Sequence, residues 1–151
     1  MIKVLVDNGH GVETPGKRSP DGRLREYKYA REIASSVVSR LKERGYDAAL
    51  IVEEDRDISL QDRCKRVNNW CELKGNKNVI LVSVHVNAAG NGEWMNATGW
   101  SAYTSIGQTS ADKLADCLYD AAKEGWFLYT EAYQMCRSSY GEFIPGQQAG
   151  R

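Results

Sequence analysis

Residues 2–11 read IKVLVDNGHG, a short run, apolar apart from Lys3, that breaks at Asp7 and Asn8 into a histidine flanked by glycines. An apolar run of that length stopped by turn-forming residues predicts a buried strand over 2–6 that enters a tight turn. Gly9 and Gly11 are expected to let the backbone turn sharply and leave the His10 imidazole exposed. The loop continues through Pro15, Gly16, Pro20 and Gly22. From Glu26 the period changes to that of a helix, with Ala30, Ile33, Ala34, Val37, Val38 and Leu41 on one face and Gly45 as the C-terminal stop. Ala48–Val52 reads as a second strand. Ser59 with Asp62 three residues on forms a capping box for a helix that turns Leu60, Cys64, Val67 and Cys71 inward.

The second histidine lies in VILVSVHV, residues 79–86, which is apolar on both faces except at Ser83 and His85 and so predicts a central strand of a parallel sheet. Trp100–Thr104 is expected to be a fourth strand. Thr109 and Asp112 cap a helix that buries Ala111, Leu114, Leu118, Ala121 and Ala122 and ends at Gly125. Beyond it, residues 126–151 hold aromatics without a period, together with Pro145, Gly146 and Gly150, and an unstructured end is expected. This alternation predicts an α/β fold: a three-layer α/β sandwich around a mainly parallel, or mixed, sheet. Sites in such folds lie beyond the carboxyl ends of the strands. His10 and His85 both fall there.

Composition narrows the function classes. Twenty Lys and Arg balance twenty Asp and Glu, so the chain has no net charge with which to gather nucleic acid or an anionic membrane. No run approaches the roughly 18–20 apolar residues of a membrane span, and the N-terminus lacks the pattern of a signal peptide, so synthesis in the cytoplasm is expected. Cys64, Cys71, Cys117 and Cys136 contain no CxxC pair and are expected to be reduced, buried thiols.

A hydrolytic zinc site needs about three N or O ligands and an open position for water. His10, Glu26 and His85 can supply two imidazoles and a carboxylate. Each also has an ordinary explanation: a buried histidine is commonly a hydrogen-bonded core residue, and a glutamate in the first turn of a helix answers its dipole. Asp7 can orient an imidazole from behind or satisfy turn amides, and Asn87 can bond substrate or brace its turn.

Four segments, VLVDNGHG, PGKRSPDGRLREYKYAREIASSVVSRLKERGY, EDRDISLQDRCKRVNNW and VILVSVHVNAA, together resemble the zinc-dependent N-acetylmuramoyl-L-alanine amidases of the cell-wall autolysin and phage lysin type. The resemblance covers roughly residues 2–124. It implies Zn2+ held by His10, Glu26 and His85, and hydrolysis of the amide between N-acetylmuramic acid and the L-alanine of the stem peptide of peptidoglycan. It also implies that RDISLQDR, with Arg56, Leu60 and Arg63, fixes the second helix. Members of the family carry a further glutamate on a late central strand as general base and acid. The nearest counterpart, Glu131 in FLYTEAYQM, follows Gly125 too closely for that strand, and the catalytic base is left unassigned.

The resemblance therefore implies a single amidase-like domain over 1–151 whose family pattern runs out after about residue 125, short of its last strand. Two functions follow from it: an active zinc amidase, or a zinc-containing module that binds peptidoglycan without the catalytic glutamate. A monomer that reaches the cell wall by lysin-like release is expected, with neither nucleic acid nor membrane as a partner.

Overall fold

The computed structural model describes residues 1–86, 92–94 and 101–126. Two compact units divide the chain, residues 1–95 and 96–151.

In the first unit, β1 (Lys3–Asn8) is the middle strand of a parallel sheet, with β2 (Asp47–Leu50) on one side and β3 (Val79–Val84) on the other. The pleat of β1 sends alternate side chains into two separate cores. Val6 meets Ala34 and Val38 of α1 (Glu26–Glu43) together with Ala48, whereas Leu5 meets Ile51, Val52 and Ile58 on the opposite face. Val67 and Trp70 of α2 (Leu60–Lys74) close that second core. Helix, sheet and helix are the three layers expected, and each crossover returns the chain to a parallel strand.

Local signals explain the element ends. Gly45, at φ +83°, follows the last turn of α1 and donates to Lys42 O, while the Tyr46 N–H reaches back to Leu41 O; only glycine adopts this left-handed position freely. Ser59 caps α2 by accepting the Asp62 N–H at 3.1 Å.

Several sequence expectations are corrected. β1 runs two residues further than its apolar stretch, because Asp7 and Asn8 pair with Ser83 and Val84 and the parallel ladder overrides their preference for turns. β2 ends at Leu50, yet the Ile51 N–H still bonds Val6 O and both Ile51 and Val52 are buried. Among the described strands β3 lies at the edge and β1 in the centre. Leu81 is exposed, so the sheet face that it occupies on β3 is not fully covered. Helix α2 is rolled from its expected face: Leu60 is exposed, Cys64 and Cys71 are half-buried, and the residue taken inside is Arg63. A buried carboxylate on β1, described below, draws it there.

The second unit contains α3 (Ser110–Trp126), which runs through Gly125. Thr109 donates its backbone N–H to Asp112 at 2.6 Å, as expected of the cap. Ala115 and Tyr119 are its buried residues, while Ala111, Leu118 and Ala121 are exposed. Ser101–Thr104 form no strand: the Ala102 N–H is bonded by the Tyr119 hydroxyl in place of a ladder carbonyl. Trp100, Cys136 and the chain after Trp126 lie outside the described residues. Cys64, Cys71 and Cys117 are free thiols but none is fully buried, since each sits at the margin of its helix's packed stripe. No helix among the described residues is long and apolar enough to cross a membrane.

Leu5 is fully enclosed between the sheet and α2. Leu5→Ala is therefore expected to destabilise the fold by about 2–5 kcal/mol, read from urea unfolding, with an unchanged m-value.

Candidate metal centre

The parallel sheet brings the ends of β1 and β3 to one edge. Beyond β1, the Gly9 N–H still bonds Val84 O at 3.1 Å, and the chain then reverses at His10. The reversal is made by the histidine itself, at φ +62°; neither neighbouring glycine is in the left-handed region. Both glycines serve close approach instead. A Cβ on Gly9 would overlap the His85 imidazole, and one on Gly11 would overlap the backbone at Asp57. The imidazole of His10 is consequently enclosed, with its side chain 19% exposed, and not the open group that the flanking glycines suggested.

A left-handed histidine needs its carbonyl held. Arg31 of α1 donates to His10 O at 2.9 Å through Nη1, and Arg63 of α2 reaches the same oxygen at 3.3 Å through Nη2. Arg63 also donates to Asn8 O at 2.8 Å and to Ile58 O at 2.8 Å, and pairs with the Asp7 carboxylate. Ser83 Oγ donates to the other Asp7 oxygen at 2.7 Å. Asp7 therefore bonds neither an imidazole nor the turn amides: it anchors the arginine that holds the turn. Nothing in the apolar periodicity of α2 marks Arg63 as buried, although the family-like segment RDISLQDR singles it out. Arg31 carried no sequence signal.

Glu26 is the first residue of α1 and is almost wholly buried. Its N–H bonds Lys17 O at 2.9 Å, which ties the end of the long loop to the helix start. Oε1 of Glu26 accepts the Val86 N–H at 3.0 Å and lies 3.1 Å from His85 Nδ1 and 3.3 Å from His10 Nε2. The two imidazoles stand edge to face, with centroids 5.1 Å apart. One ligand atom from each of His10, Glu26 and His85 falls within 4.8 Å of the others. The three residues proposed from sequence are thus brought together. Asn87 and Glu131 lie outside the described residues.

Electrostatics favour a cation at this point. Burial pushes the His10 imidazole below its ordinary value; Glu26 opposes this and the charges of His85 and Lys17 add to it. Burial also pushes the Glu26 carboxyl up, but the His85 hydrogen bond, the Val86 N–H and the His10 imidazole outweigh it, and the group stays below its usual range. A neutral imidazole with a free lone pair beside an ionised carboxylate is the protonation state that a divalent metal requires. Among the described residues no Lys or Arg side chain pairs with the buried Glu26 carboxylate, and buried charge calls for compensation. The donor set fits zinc chemically, since two imidazoles and a carboxylate are hydrolytic zinc ligands. The His85 side chain is 48% exposed, so the cluster opens to solvent on that side.

Comparison with known proteins converges on one family. Residues 4–136 match the family model described as N-acetylmuramoyl-L-alanine amidase. The sporulation-specific N-acetylmuramoyl-L-alanine amidase of Bacillus subtilis (strain 168) is 29% identical over 105 residues, 68% of this chain and 36% of that protein. The chain thus spans about a third of the length of that curated relative. Among solved structures, the catalytic domain of the amidase CwlV from Bacillus (Paenibacillus) polymyxa var. colistinus superposes with a TM-score of 0.68 at 23% identity, over 90% of this chain and 70% of that one. The amidase AmiC2 of Nostoc punctiforme gives 0.70 at 22% identity, over 91% and 69%. At these identities the structural likeness establishes the α/β fold.

Two substitutions separate the scaffold from the cluster. Arg63→Ala strands the Asp7 carboxylate and two backbone carbonyls, and a loss of about 3–5 kcal/mol in unfolding free energy is expected. Gly9→Ala crowds His85; calorimetric zinc titration is expected to show affinity reduced at least about 10-fold, a result that unchanged affinity would contradict.

Proposed function

The chain belongs to the N-acetylmuramoyl-L-alanine amidase family, and on that premise we propose that it hydrolyses the amide between the lactyl group of N-acetylmuramic acid and the L-alanine of the stem peptide, at a zinc ion held by His10, Glu26 and His85. The observation that carries this reading is the meeting of two imidazoles and a buried carboxylate at the carboxyl edge of the sheet, open on the His85 side. Peptidoglycan is the substrate and the cell wall the place of action.

Zinc bound there would supply Lewis acidity toward the scissile carbonyl and lower the pKa of a water molecule. The protein's own contribution is placement. Glu26 brings negative charge into a buried position and is held by the Val86 N–H, so its carboxylate does not swing as substrate enters. His10 is held at its carbonyl by Arg31 and Arg63, which fixes the backbone that carries its ring. His85 lies at the open side, one residue past β3, where the strand's rigidity still governs its position. An amide entering from that side would meet ligands held by their backbone, which favours a reproducible attack geometry.

Purified peptidoglycan incubated with the zinc-loaded chain is expected to release new L-alanine amino ends. Chelation should abolish the release, zinc should restore it, and His85→Ala should lower the rate more than about 100-fold. Zinc bound at full occupancy without any release would overturn the amidase reading in favour of a module that only binds peptidoglycan. Failure to bind zinc would overturn the metal reading itself.

A further inference from the structure

The loop between β1 and α1 is not irregular where it meets the metal centre. Arg18 and Arg25 form an antiparallel bridge, the Ser19 N–H bonds Leu24 O at 2.9 Å, and the Gly22 N–H closes on Ser19 O at 2.9 Å. The Leu24 N–H adds a bond to Ser19 Oγ at 3.0 Å. Residues 18–25 are therefore a small hairpin with a defined turn. Its base is stapled to the site, because Lys17 O accepts the N–H of Glu26, the buried carboxylate of the cluster.

The hairpin carries an unbalanced charge in a chain whose total charge is zero. Lys17, Arg18, Arg23 and Arg25 oppose one acid, Asp21. Asp21 is already engaged at the turn by the Ser19 hydroxyl at 2.6 Å and the Arg23 N–H at 3.1 Å, with Arg23 Nε 3.6 Å away. Lys17, Arg18 and Arg25 are exposed and have no carboxylate partner among the described residues. Residues opposed on an antiparallel pair send their side chains to the same face, and like charges placed so are destabilising. Two arginines facing one another one residue from Glu26 are an arrangement that an anion between them would relieve. Lys17 holds the same edge, at φ +34°, and its charge reaches His10.

We propose that Arg18 and Arg25, with Lys17, form a carboxylate subsite that holds the peptide part of the substrate beside the metal centre. The identity of that peptide rests on the amidase reading; the subsite itself is argued from the hairpin. Stem peptides carry free carboxylates, and an arginine pair on a rigid hairpin can engage one through paired N–H donors. Because the base of the hairpin is hydrogen-bonded to Glu26, a carboxylate caught on the hairpin would tether the peptide to the loop that leads into the cluster. The interaction is exposed, so it acts through orientation and apparent affinity and weakens with salt.

Calorimetric titration of the full chain with a stem tetrapeptide bearing free carboxylates, and with its amidated counterpart, tests the proposal. The free form is expected to bind about 10-fold more tightly at low salt. Arg18→Gln with Arg25→Gln should erase that preference, leave zinc stoichiometry unchanged and not lower the melting temperature, and Arg18→Lys should retain part of the preference. Equal binding of the two forms, no binding of either, or a preference that survives in the double variant would overturn the subsite. So would a double variant that loses inorganic polyphosphate as strongly as it loses the stem peptide, since that marks a general anion patch. Amide hydrolysis without a carboxylate preference removes the subsite and leaves the amidase reading standing; a preference without hydrolysis does the reverse.

Discussion

The guanidinium of Arg63 joins helix α2 to the last residues of the central strand. It pairs with Asp7, takes the carbonyls of Asn8 and Ile58, and touches that of His10. A buried charge of this kind is tolerated only where its partners are complete, and here the set includes a carboxylate that Ser83 also bonds. The consequence is positional. Without a donor on its carbonyl, His10 has little reason to remain at φ +62°, and without His10 in that conformation the imidazole does not meet Glu26. Arg31 reaches the same carbonyl from the opposite layer, so both helices of the sandwich grip one turn.

The topology does the rest. Parallel strands β1 and β3 deliver their carboxyl ends to one edge, and α1 begins at that edge because the crossover must return across the sheet. Three side chains distant in sequence therefore meet without any of them leaving a regular element by more than two residues. Burial acts on Glu26 and on His10 against their own charge. The groups around Glu26 nonetheless favour its ionised form, and burial favours the neutral form of His10. A site in this state suits a cation, and acidification works against it.

Much of this was legible in the letters, and the part that was not has a common cause. The periods of β1 and α1, the Ser59 cap, the Gly45 stop and the three cluster residues follow from patterns that report local geometry or a family-like motif. Arg63 at the helix–sheet interface is marked by the family-like segment alone, because an amphipathic reading counts apolar positions and treats arginine as solvent-facing. The glycines were misread for a similar reason: their usual meaning is a left-handed backbone, whereas Gly9 and Gly11 are small because His85 and the backbone at Asp57 press on them. The absence of a strand at Ser101–Thr104 depends on which neighbours satisfy the backbone. A single chain's letters do not encode that.

The proposed zinc ion is held by His10, Glu26 and His85. X-ray absorption at the zinc edge of the loaded chain tests this coordination most directly. Two imidazole nitrogens at about 2.0–2.1 Å and a carboxylate oxygen at a similar distance are expected, with one imidazole lost in His10→Ala. A sulfur shell near about 2.3 Å, or a spectrum that His10→Ala leaves unchanged, would place the metal elsewhere and contradict the account.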